Sequence, residues 1–189
     1  GKGCPVLCSS GNSAGGTGLN SYQNLKSYNI NSDVGEGNYY FGFGYVKNSS
    51  GSANDDCWWL AHVELPDGTL VRFDDSTLPT GWFFDGDADW TTSIDPEHAH
   101  GTTRFAWRSG NIGNNQISRL VSPLTTVSSS QTTLTLRNWI SSEATDEARL
   151  YVFNSGGESL GSYLLGSGIP DERTTAVAYP ASLTTTLAV

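Results

Sequence analysis

The sequence predicts an all-β protein: a jelly-roll-like antiparallel β-sandwich of about ten strands, preceded by a Gly/Ser/Asn-rich N-terminal arm. Three observations carry this expectation. Apolar and aromatic residues alternate with polar ones in short runs, the period of a half-buried strand. Turn residues punctuate these runs at short intervals. Aromatic residues make up 11% of the chain although hydrophobic residues total only 37%, a composition that suits thin, aromatic cores between sheets and argues against disorder. At 189 residues the chain holds one full core. Its simplest division is an arm over 1–38 and a sandwich over 39–189.

In order, residues 1–38 show neither a period of two nor one of 3.6, and are read as an arm or loop region. Its glycines are not followed by the Gly-Lys-Ser/Thr of a phosphate-binding loop. The run from Tyr39 to Val46 is the first strong strand. Tyr39, Phe41, Phe43 and Tyr45 share one face, and Gly42 and Gly44 lie on the other. A bare glycine face implies close approach of another layer or a ligand. Residues 57–65 form the next strand. Strict alternation puts Trp59, Ala61, Val63 and Leu65 on one face and Trp58, Leu60, His62 and Glu64 on the other. Pro66-Asp67-Gly68 turns the chain back into 69–73, a β-hairpin. Further strands are expected over 102–108, 117–121 and 132–139, then a second hairpin of 149–153 and 159–165 around Asn154-Ser155-Gly156-Gly157. Final strands are expected over 174–179 and 183–189. Residues 141–149 are the one short helix candidate.

Charge is distributed unevenly. Between Asp55 and Glu97 stand 11 of the 19 acids and only one base, Arg72, within a net charge of −9. An acidic surface disfavours nucleic acid, whose phosphates require a basic one. No apolar run reaches the ~20 residues that span a bilayer, so no membrane insertion is expected. Cys4, Cys8 and Cys57 are an odd set; a disulfide between two of them, with the third free or intermolecular, fits an extracellular protein better than a zinc site. Asn48-Ser49-Ser50 is a lone glycosylation sequon.

The acidic stretch holds the candidate site. Asp85, Asp87 and Asp89 alternate, a spacing that suits Ca²⁺ with Asp95 as a further oxygen ligand. An EF-hand is excluded, because Trp90 stands where it needs Gly and Pro96 where it needs Glu. His98 and His100 would share one strand face roughly 7 Å apart, a spacing that suits a transition metal or a ligand contact. Trp58, Trp82 and Trp90 offer rings for stacking on sugars, with carboxylates beside them to accept hydroxyl hydrogen bonds. A glycoside hydrolase is the residual enzymatic reading, from Glu64, Asp89 and Glu97 as a carboxylate pair. Most acids sit in turns and there is no Gly-x-Ser-x-Gly elbow, so catalysis is not expected.

Residues 73–153 carry a resemblance. Phe73-Asp74, Leu78-Pro79-Thr80-Gly81-Trp82 and Trp90 come first, then His100-Gly101 leading into 102–107. Leu120-Val121-Ser122-Pro123, Thr133-Leu134-Thr135-Leu136 and Leu150-Tyr151-Val152 before a glycine turn follow. This series resembles the MAM-like and cleaved-adhesin jelly-roll domains of secreted and cell-surface proteins. The resemblance implies a jelly-roll sandwich, extracellular placement, an adhesive or binding role towards a glycan or cell-surface protein, often bound Ca²⁺, and no catalysis. Residues 1–66 lie outside it. The reading from another class is a structural assembly protein: a viral or phage coat or spike, or a surface-filament subunit, self-associating through the N-terminal arm.

Overall fold

The computed structural model describes residues 25–29, 34–49, 51, 56–73, 75–94, 105–130 and 133–167. These form twelve strands: β1 Leu25–Asn29, β2 Gly37–Val46, β3 Cys57–Glu64, β4 Leu70–Arg72, β5 Phe83–Gly86, β6 Thr91–Ile94, β7 Phe105–Arg108, β8 Ile117–Val121, β9 Thr125–Val127, β10 Thr133–Ser141, β11 Glu147–Asn154 and β12 Ser159–Ser167. The first sheet has the order β1-β10-β3-β7-β6, with β4 also pairing β3. The second has the order β12-β11-β2-β8-β5, with β9 also pairing β2. Every pairing is antiparallel. The chain crosses between sheets repeatedly, as from β2 to β3, β4 to β5, β7 to β8 and β10 to β11, which makes a jelly-roll-like sandwich. Among the described residues no helix is long and apolar enough to cross a membrane.

The core lies between the inner faces. Phe41, Phe43 and Tyr45 of β2 meet Trp58 and Leu60 of β3, Leu134, Leu136 and Ile140 of β10, and Leu150 and Val152 of β11. Tryptophans from the connections fill the rest. Trp82 stacks on Phe43 with centroids 5.9 Å apart, and Trp90 meets Trp58 edge-on at 5.4 Å. Asn138, buried beside them, accepts a 2.8 Å hydrogen bond from Trp58 Nε1 through its side-chain oxygen, which gives that indole N–H a partner in the core.

Both expected hairpins form, β3–β4 and β11–β12. In the first, Gly68 takes φ +83°, and Leu65 and Thr69 close the turn with a 2.9 Å backbone bond. Four expectations change. Residues 25–29 and 37–38, assigned to the arm, are strand: β1 pairs β10 and β2 begins at Gly37. The helix candidate at 141–149 is a turn followed by β11, because alternate residues Ala148, Leu150 and Val152 reach the core. β5, β6 and β9 are short strands that the sequence pattern did not reveal. Strict alternation also fails in β3. Opposite β10 the register passes from His62 to Leu60, leaving Ala61 as the extra residue of a β-bulge. Trp58 and Leu60 therefore share the core with Val63 and Leu65. Trp59 faces outward, sealed with Cys57 and Ala106 against Trp139. The strands expected over 174–179 and 183–189 lie outside the described residues, as does most of the expected arm.

Candidate functional site: the outer face of the second sheet

The glycines of β2 locate the site. Tyr39, Phe41, Phe43 and Tyr45 point inward, so Gly42 and Gly44 open the outward side of the strand. Across the ladder Tyr151 pairs with Gly42, and Phe153 with Tyr40. A Cβ on Gly42 would lie 2.8 Å from the Phe153 ring, and one on Gly44 2.6 Å from the Tyr151 ring. The two rings thus lie over the bare β2 backbone, nearly parallel at 9° with centroids 6.0 Å apart. The close approach expected of the glycine face is made by neighbouring aromatic side chains.

β8 and β5 extend this face. Arg119 lies opposite Gly44, with its guanidinium carbon 5.5 Å from the Tyr151 centroid and 6.0 Å from that of Phe153, within cation–π range. On its other side Arg119 Nε meets Asp85 Oδ2 at 2.7 Å. Arg149 binds Glu147 through Nε at 2.5 Å and Ser162 Oγ through Nη1 at 3.1 Å. One row of the face is therefore charged: Arg149, Arg119 and Asp85. Beside it the register places Tyr151 and Phe83 in the next row, with Gly42 and Val121 between them, and Phe153 and Tyr40 one row further. Tyr40 and Phe83 meet edge-on at 6.1 Å, and Phe83 is 44% exposed. Burial pushes the Tyr151 hydroxyl above the usual phenol range, against the pull of Arg149 and Arg119, so it stays protonated. Exposed ring edges beside oriented charged hydrogen-bonding groups suit a ligand with one apolar and one hydroxylated face.

The residues expected from the sequence are placed differently. Trp58, Trp82 and Trp90 are 0%, 5% and 2% exposed, which removes them as ligand platforms: the inter-sheet gap needs large rings, and these fill it. Asp85 is paired with Arg119 on the outer face. Asp87 Oδ2 accepts the Ile117 amide at 2.8 Å, prolonging the β5–β8 ladder past Gly86. Asp89 is exposed. Among the described residues no three His, Cys, Asp or Glu side chains come together as a metal would need. Asp95, His98 and His100 lie outside the described residues, as do Cys4 and Cys8. Cys57 is fully buried. Phe83, Tyr40, Arg119 and Tyr151 had no motif to announce them; the one available signal was the aromatic–glycine alternation of β2.

A second cluster, unforeseen from the sequence, lies where β2 ends, β3 begins and β10 turns into β11. Lys47, Asp56 and Asp146 have side chains only 1%, 3% and 0% exposed. Lys47 Nζ contacts Asp56 Oδ2 directly and lies 3.6 Å from Asp146 Oδ2. The Tyr45 hydroxyl donates to Asp56 Oδ1 at 2.7 Å and lies 3.4 Å from Asp146 Oδ2. The Asn48 amide donates to Asp146 Oδ1 at 3.0 Å. Burial first, and then the neighbouring Asp56, holds the Asp146 carboxyl above the usual range, against Asn48 and Lys47. Burial and Asp56 also push the Tyr45 hydroxyl far up.

Compared with known proteins, the chain matches no family model, no curated protein and no solved structure.

Proposed function

We propose that the protein is a non-catalytic extracellular binding module whose second sheet presents its outer face to a glycan. The observation that carries this reading is the ring pair of exposed Phe83 and half-buried Tyr40 on the same face as the Arg119–Asp85 ion pair. The C–H face of a pyranose stacks on such rings, while its hydroxyls reach the guanidinium and carboxylate. The floor of Tyr151 and Phe153, held over glycines, keeps the platform rigid, which lowers the ordering cost of binding. An adhesive role, as the MAM-like resemblance implies, points the same way. Extracellular placement goes with the disulfide expected among Cys4, Cys8 and Cys57, a cross-link that persists in oxidising compartments.

A glycan array with the full chain tests the reading, and at least one class of sugar is expected to bind. Phe83→Ala should weaken that binding about ten-fold, the scale of one lost stacking contact, with little change in melting temperature because the ring is half exposed. An array without signal, or full binding by Phe83→Ala, overturns it. One observation favours a second reading, a subunit of a coat, spike or filament. β12 is nine residues long and has a strand partner on one side only among the described residues, and such an edge can accept a strand from another chain. Light scattering that reports a monomer at every concentration removes this second reading.

A further inference from the structure

We propose that Lys47 and Asp56 condense after folding into an intramolecular amide, with Asp146 as proton relay and Tyr45 as donor to the developing oxyanion. A lysine amine and a carboxyl carbon rarely react in water, where both are charged, solvated and mobile. Here folding removes each obstacle. The three side chains are almost wholly excluded from solvent, and Nζ is already against the Asp56 carboxylate, so a bimolecular step becomes a local one. The backbone at Asp56 is left-handed, with φ 58°, a sparsely populated state for a non-glycine residue and one that gathers at functional positions. Asp56 and Asp146 crowd one cation, and the raised affinity of Asp146 for a proton keeps an acid beside the reacting pair.

The roles follow from the contacts. Lys47 Nζ gives up one proton through Asp146 and attacks Asp56 Cγ. Negative charge gathers on Oδ1, where the Tyr45 hydroxyl donates at 2.7 Å. A second proton leaves nitrogen as the amide forms. Both protons are carried to Oδ2, the C–Oδ2 bond breaks, and Oδ2 departs as water. Asp146 ends as it began, so an ammonium and a carboxylate have become one amide and one water, with no oxidant or co-reactant. A dry pocket favours this direction, because it replaces two desolvated charges with a neutral group. The product ties the end of β2, in the second sheet, to the start of β3, in the first.

Mass spectrometry of the folded, reduced full chain tests the proposal. The intact mass is expected to fall short of the sequence mass by one water. Trypsin should fail to cut at Lys47, giving a single product over 27–72 whose fragmentation joins Lys47 to Asp56, since Lys26 and Arg72 are the flanking basic residues. Full mass with complete cleavage at Lys47 overturns it. Asp56→Ala should restore cleavage; a water loss that persists there without a block at Lys47 belongs to other chemistry and also counts against it. Asp146→Asn keeps the shape of the side chain but cannot relay a proton, and the cross-linked fraction should drop at least about ten-fold. If Asp146→Asn, folded by circular dichroism, cross-links as the wild type does, the relay role of Asp146 is wrong.

Discussion

At the residue scale, the acids and glycines show how much of a site spacing alone reveals. Alternating aspartates at 85, 87 and 89 have a cation-loop spacing, yet each is placed by its own surroundings. Arg119 takes Asp85, the Ile117 amide takes Asp87, and Asp89 faces solvent. Spacing was legible; the partners, which come from β8 about 30 residues later in the chain, were not. The glycine face of β2 was legible as a close approach, but not what approaches. Its consequence is testable. In Gly42→Ala or Gly44→Ala the new methyl meets the Phe153 or Tyr151 ring closer than contact allows. At Gly44 the Arg119 side chain, 3.1 Å away, blocks a further way out. Each variant should lose about 1–3 kcal/mol, the usual cost of overpacking, measured by denaturant unfolding. Glycan binding should weaken with it, because the tilted rings no longer support Arg119. A variant as stable as the wild type would show that the rings are not held over the strand.

At the element scale, strands with strong alternation were legible and strands defined by their partners were not. β2, β8, β10, β11 and β12 declare themselves by period. β5 has four residues, of which only Phe84 turns inward to stack on Trp107 at 5.6 Å, and a single inward residue has no period. β3 kept its strand identity but lost its face assignment, because one bulge at Ala61 exchanges the two sides. The end of β5 depends on Gly86, whose φ is +105° and whose missing Cβ would collide with the Ile117 carbonyl. Gly86→Ala should cost about 1–3 kcal/mol through backbone strain, and more if the Asp87–Ile117 bond also breaks. Hydrogen exchange should show the loss concentrated at the Asp87 and Ile117 amides and the β5–β8 ladder. Protection there equal to the wild type would mean that the strand end rearranges without cost. Cys57 acts at the same scale, at the first residue of β3. If it is half of a disulfide, reduction should remove about 2–5 kcal/mol, read as a lower melting temperature. An unchanged melting temperature would argue that the cystine is absent.

At the scale of the whole molecule, the sandwich was legible because alternation, aromatic content and turns agree. The buried cluster of Lys47, Asp56 and Asp146 was not, because Asp56 looked like one more member of a solvated acidic run. Tertiary packing gives it the opposite environment, and so subtracts one acid from the surface charge that the sequence suggests. This cluster is where the two sheets meet through polar chemistry, and it sets a pH dependence whose sign follows from one carboxyl. Asp146 binds its proton more tightly folded than unfolded, mainly through burial. The stability it contributes is fully present below the ordinary carboxyl value of the unfolded chain. It is lost as pH rises through the higher folded value, and the curve is level beyond that. Asp146→Asn has no such proton to lose. The stability difference, wild type minus variant, should therefore fall as pH rises through the mildly acidic range and then flatten, as measured by unfolding midpoints in a pH series. This slope does not depend on whether Lys47 and Asp56 are joined, since burial of Asp146 is its leading cause in either case. A difference that rises with pH would mean that Asp146 is held as an anion by Lys47, that the ion pair persists uncondensed, and that the sheets are joined there by charge alone.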